Sequence, residues 1–87
     1  MITWDENKRR KNIKDHGIDF AELNDVFAHF MDTEPQIGYE HRLKSLCWFK
    51  DRVVVMIWTE QNHNTRIISC RNASKYEIRI YAQRATF

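Results

Sequence analysis

The nine residues Arg52-Val53-Val54-Val55-Met56-Ile57-Trp58-Thr59-Glu60 restrict the fold more than any other stretch of the chain. A run that is apolar at consecutive positions, rather than at every second one, fits a central strand covered on both faces. A chain of 87 residues has material for one modest core and not for two, so a single domain spanning 1–87 is expected. Aromatic residues reach 13%, while glycine and proline together occupy only three positions, which supplies packing bulk and argues against disorder.

The neighbours of this run extend it into a meander. Lys50-Asp51 is short enough for a tight turn from a preceding strand over His41–Phe49. There Leu43 and Cys47 share one parity and Leu46 and Trp48 the other, the pattern of a bulged strand or of a late change of burial. Gln61-Asn62-His63-Asn64 reads as a four-residue polar hairpin loop, returning the chain into Thr65–Arg71, where Thr65, Ile67 and Ile68 are β-branched. Asn72-Ala73 is a turn. Ser74 with Glu77 three residues on is a capping-box signal for a helix from about Lys75 to Arg84, with Ile78, Tyr81, Ala82 and Ala85 on one stripe.

The first half is helical by pattern. Ile2-Thr3-Trp4 is a short strand candidate, Asp5 an N-cap for a helix from Glu6 to about Lys14, and Gly17 the left-handed position that ends it. That helix carries Lys8, Arg9, Arg10, Lys11 and Lys14 against Ile13 alone, so it is a basic, solvated surface. Asp19 with Glu22 opens a second helix whose Phe20, Leu23, Val26, Phe27 and Phe30 form a core stripe. Met31 to Gly38 loses the period and holds Asp32, Thr33, Pro35 and Gly38, so it reads as a loop. The expected order is β-α-α-β-β-β-α, an α+β fold with an antiparallel sheet and its helices against one face. Trp4, Trp48 and Trp58 each fall in a strand signal and are expected in the core.

Charge and cysteine usage narrow the setting. A net charge of +2 is too mild to name a nucleic-acid partner, so the distribution of cations has to decide. The start of the chain lacks the apolar core of a signal peptide and no run approaches a membrane span, which points to a cytoplasmic protein with no membrane role. Cys47 and Cys70 lack CxxC spacing and are expected buried and reduced; His16, His29, His41 and His63 are scattered, so neither metal nor cofactor is expected.

Several residues have the chemistry to handle a phosphodiester. Arg66 and Arg71 sit near the two ends of the last strand signal and can hold a phosphate between them. Residues five apart face opposite ways in an ideal strand, so a shared site requires a bulge, or Arg71 already in the turn. A structural ion pair between one arginine and Glu77 is the plain alternative. His16, beside the helix-ending glycine, fits a partner of the last helical carbonyls on its spacing alone, with an exposed proton donor or acceptor as the other reading. Alternation puts Glu40 and Arg42 on one face at a strand start, as catalytic groups or as a surface ion pair. Tyr39, Arg42, Lys44 and Lys50 form a cationic and stacking surface suited to single-stranded RNA. Without a glycine-rich phosphate loop or a Ser-His-Asp pattern, this inventory fits metal-free acid/base and electrostatic catalysis at a phosphodiester. A metal-dependent nuclease using Glu40 and His41 is a weaker reading.

Trp4-Asp5, Lys8, Asn12, Lys14-Asp15-His16-Gly17-Ile18, Phe20, Val26-Phe27, and Arg66-Ile67-Ile68-Ser69-Cys70-Arg71 with Ala73, Glu77 and Tyr81 together resemble the BrnT toxins over nearly the whole chain. The resemblance implies a RelE-like fold and a ribonuclease toxin of a type II toxin–antitoxin system that inhibits translation and growth. It implies neutralisation by a BrnA-type ribbon–helix–helix antitoxin, with DNA reached only through that antitoxin. It also implies attack by the RNA's own 2′-hydroxyl without a metal, with Arg66 and Arg71 on the phosphate, His16 or Glu40 as acid/base, and Lys8 lending charge. Cys70 stands where the family's RIISAR-like motif usually has alanine, and Cys47 near a common glycine. The alternative from another class is a non-catalytic, antitoxin-binding corepressor or a decayed toxin.

Overall fold

Val53, Val54, Val55, Met56 and Trp58 are all buried, as the apolar run requires. In the computed structural model, which describes residues 1–86, they form the middle of a five-stranded sheet. Its strands are β1 (Ile2–Trp4), β2 (Met31–Pro35), β3 (Leu43–Phe49), β4 (Arg52–Gln61) and β5 (Asn64–Asn72). Two α-helices, α1 (Glu6–His16) and α2 (Lys75–Arg84), and a 3₁₀ segment over Phe20–Ala28 complete the chain. The strand order is β1-β5-β4-β3-β2.

The two faces of β4 are covered by different elements. Val54, Met56 and Trp58 pack with Cys47, Phe49, Ile67 and Cys70 beneath Ile18, Phe20, Leu23 and Val26. Val53, Val55 and Ile57 pack with Leu46 beneath Ile80, Tyr81, Ala73 and Ala85 of α2 and its approach. Helical elements therefore flank both faces, not one as expected, because a strand apolar at every position must be buried twice. α1 lies along β5, where Asn12 is buried: its amide donates to the Ile18 carbonyl at 2.9 Å and its oxygen accepts from Cys70 N–H at 3.1 Å.

The sheet is mixed. β1 pairs in parallel with β5, Ile2 opposite Thr65 and Trp4 opposite Ile67, whereas the other strands are antiparallel. Met31–Pro35, expected as loop, is the edge strand β2, with Met31 opposite Cys47 and Pro35 opposite Leu43. An edge tolerates the missing N–H of proline, and charged residues there discourage pairing with another chain. Thr33 and Ser45 hydroxyls, 2.7 Å apart, tie the strand inward.

Both hairpins close on two residues with positive φ, Lys50-Asp51 (46° and 64°) and Asn62-His63 (50° and 66°), a geometry matched to the twist of the flanking strands. The second is tighter than the four-residue loop expected, because Gln61 and Asn64 themselves pair. Phe20, Leu23 and Val26 recur every three residues, the period of a 3₁₀ rather than an α-helix. Asp19 caps this segment at Ala21 N–H, but Glu22 turns away to Lys50 instead of closing a capping box. Trp58 is a core residue, its indole N–H bonded to Ser45 Oγ at 2.8 Å; Trp4 is half-buried, and Trp48, expected in the core, is 39% exposed. Among the described residues no helix is long and apolar enough to cross a membrane.

Candidate functional site

β4 and β5 pair one to one except at a single point. Ile57 lies opposite Ser69 and Trp58 opposite Ile67, so Ile68 is an extra residue in β5. The bulge shifts the parity of everything beyond it. Arg66 is opposite Thr59 and Arg71 opposite Val55. Thr59 and Val55 share a face of β4, so the two arginines share the face that α2 partly covers. Their backbone positions are about 13 Å apart along the strand at 3.3 Å per residue. Arg71 is still in the strand, which runs to Asn72, so it is the bulge and not the turn that aligns the pair.

Sheet register sets out this face in rows. Asp32, Leu46, Val55 and Arg71 form one; Glu34, Lys44, Ile57 and Ser69 form the next; Thr59 and Arg66 follow. The first row lies against α2, whereas Ile57 in the second is only half-buried. Two cavities of about 530 and 420 Å³ occupy this side, and both are lined by Glu34, Lys44 and Arg71, so they form one continuous groove.

The charges in the groove are organised around Glu77. Its two oxygens accept from Arg71 Nη1 at 2.8 Å and Nη2 at 3.0 Å, and Lys44 Nζ lies 3.5 Å away. The Arg71 hydrogen bonds, with help from the Ser74 backbone, hold the Glu77 carboxyl down to about 2. The Arg71 guanidinium is correspondingly harder to deprotonate. Arg71 Nη1 also donates to the Asn72 carbonyl at 3.2 Å. Three of its five N–H groups are thus committed, and the Nε side, the edge that grips a phosphate in bidentate fashion, has no partner among the described residues. Arg84 holds Asp32 with both contacts at 2.9 Å.

A smaller cavity of about 240 Å³ lies along β5 beyond the end of β1, lined by Lys8, Lys11, Asn12, Asp15, His16, Ile68 and Ser69. Ser69 lines this cavity and the groove alike, so the edge of β5 joins the α1 cations to Arg71 and Lys44. His16 is the last residue of α1 and exposed; Lys11 is paired with Asp15 at 2.6 Å. Arg66 is exposed with no carboxylate paired to it among the described residues.

Other expected site residues stand elsewhere. Glu40 and His41 are not at a strand start but in the turn between β2 and β3, where His41 has φ 60°. That turn breaks the alternation that would have set Glu40 beside Arg42, and Arg42 instead stacks over the Tyr39 ring at 4.5 Å. Lys50 sits in a hairpin turn bound to Glu22 and lines a cavity on the opposite side with Val26 and Phe49. Glu34, Asp32 and Arg84 were not singled out in the sequence; the first two lie in the stretch that reads as loop, and only the pairing of β2 brings them to the groove. Among the described residues no three His, Cys, Asp or Glu side chains are grouped as a metal site. Burial pushes both the Cys47 and Cys70 thiols up to about 12.

Comparison with known proteins agrees with this architecture. The family model described as ribonuclease toxin, BrnT, of type II toxin–antitoxin system matches residues 4–77. The crystal structure of the Brucella abortus ribonuclease toxin BrnT is similar at 32% identity and a TM-score of 0.76, covering 85% of this chain and 96% of that one. Curated protein sequences offer no match. With the family match spanning most of the chain and a solved relative of the same fold, this RelE-like α+β protein belongs to the BrnT family of ribonuclease toxins.

Proposed function

We propose that the protein is a metal-independent endoribonuclease toxin that binds RNA along the groove between α2 and β2 and cleaves it by attack of the adjacent 2′-hydroxyl. The observation that carries this reading is the bulge at Ile68, which brings Arg66 and Arg71 to one sheet face beside Lys44. Arg71, steadied by Glu77, offers its open edge to a phosphate; Lys44 and Arg66 neutralise the charge that grows on the phosphorane oxygens and on neighbouring phosphates. Lys8 and His16 continue the cationic path around the β5 edge through Ser69. Tyr39, stacked with Arg42 in the turn between β2 and β3, supplies an aromatic surface for a splayed base.

A BrnA-type ribbon–helix–helix antitoxin is the expected neutralising partner, with DNA engaged only through it. The test is cleavage of single-stranded RNA by the purified protein in EDTA, alone and with the product of the adjacent gene. Loss of cleavage in Arg66→Ala and Arg71→Ala, both folded by circular dichroism, supports the reading. RNA left intact by the wild type, with no growth arrest on expression, favours a non-catalytic antitoxin-binding module.

A further inference from the structure

We propose that Glu34 is the group that accepts the proton of the attacking 2′-hydroxyl, an assignment that rests on the ribonuclease reading above. Three carboxylates line the groove: Asp32, Glu34 and Glu77. Asp32 is held by Arg84, and Glu77 by Arg71 and Lys44. Glu34 has no hydrogen bond or ion pair among the described residues, so its oxygens alone are open to a substrate proton. It lines both halves of the groove together with Arg71 and Lys44, the cations that would seat the phosphate. Its backbone is fixed directly opposite Lys44 in the β2–β3 ladder, where paired positions lie about 5 Å apart. A phosphate held by Lys44 therefore presents its ribose within reach of Glu34. His16 and Glu40, the acid/base candidates of the sequence, line neither half of this groove.

The step balances without a further reagent. Glu34 takes the 2′-hydroxyl proton as O2′ bonds to phosphorus; the P–O5′ bond breaks, its electron pair leaves on O5′, and O5′ takes a proton from water. The hydroxide so formed removes the proton from Glu34. The products are a 2′,3′-cyclic phosphate and a 5′-hydroxyl end. Asp32 on the same strand, Lys44 from β3, Arg71 from β5, and Glu77 and Arg84 from α2 are the charged groups facing Glu34.

Glu34→Gln keeps the side chain's size and removes the base. Single-turnover cleavage of an RNA oligonucleotide in EDTA across pH 5–9 should fall by roughly 10²- to 10⁴-fold. The residual rate should climb about tenfold per pH unit as hydroxide replaces the carboxylate, while Glu34→Asp keeps an intermediate rate. Affinity for the same RNA carrying 2′-O-methyl groups, which binds but cannot be cut, should stay within about threefold. A wild-type rate in Glu34→Gln, a loss matched by weaker binding, or a change only in which nucleotide is cut would each overturn the assignment and leave the ribonuclease reading standing. Should the wild type itself leave RNA intact in the same buffer, both fall.

Discussion

Glu77 accepts two N–H groups of Arg71, at 2.8 and 3.0 Å, while the Ser74 backbone N–H donates to it at 2.9 Å and its own N–H bonds Ser74 Oγ at 3.2 Å. One side chain thereby starts α2 and aims the guanidinium at the groove. The Glu77 carboxyl is held to about 2, below the ordinary 4.5, so its contribution to stability is fully present above about pH 4.5 and is lost as pH falls toward 2. Glu77→Gln should cost about 1–2 kcal/mol near neutrality, for a charge-assisted pair whose arginine is partly solvated, since a glutamine oxygen can still accept from the Ser74 N–H. Urea unfolding of wild type and variant from pH 7 to 2 checks this: the gap should close at the acid end.

RNA binding should register the arginines as phosphate contacts. On single-stranded 2′-O-methyl RNA, Arg66→Ala and Arg71→Ala should each weaken binding at all sequences and reduce the salt slope by about 0.7. Affinity titrations over a range of salt read this directly. An unchanged slope for Arg66→Ala would place it outside the RNA path.

Asn12 is the buried link between α1 and the part of β5 that β1 leaves unpaired. Asn12→Leu would strand the Ile18 carbonyl and the Cys70 N–H, each at about 1–3 kcal/mol. A lowered urea midpoint with an unchanged m-value, and faster hydrogen exchange at Cys70, is the expected result.

Cys47 lies opposite Val54 and Cys70 opposite Met56, so with β4 between them their backbones are about 9.6 Å apart across the strands and two residues out of register along them, too far for a disulfide. With both thiols pushed up to about 12 by burial, alkylation of the native protein should be slow and should track unfolding. Mass spectrometry after iodoacetamide, with and without denaturant, measures it; oxidant should yield no intramolecular crosslink.

Where the sequence was legible, each element satisfied its own local rule. The β4 run, the capping box at Ser74, the N-cap at Asp5 and the glycine after α1 all appear where residue chemistry places them. β2 did not, because an edge strand has one neighbour and one open side, so Asp32, Glu34 and Pro35 can serve there as they serve in loops. Its identity depends on Thr33 meeting Ser45, a contact that no local pattern announces. The groove was hidden for the same reason, since Glu34 reaches it only through that pairing. The Arg66–Arg71 spacing left two routes to a shared face, a bulge or Arg71 in the turn; Arg71 is still within β5, and the bulge at Ile68 is the route taken.

The parallel pairing of Ile2–Trp4 with Thr65–Ile67 also governs when this protein can exist during synthesis. The first strand emerges from the ribosome with nothing to pair against, and α1 waits with it, until the last strand has been translated. Closing so long a loop is a late and slow event. A product that stalls before Thr65 therefore lacks Arg71 and α2 as well as the partner of β1, and with them one wall of the groove.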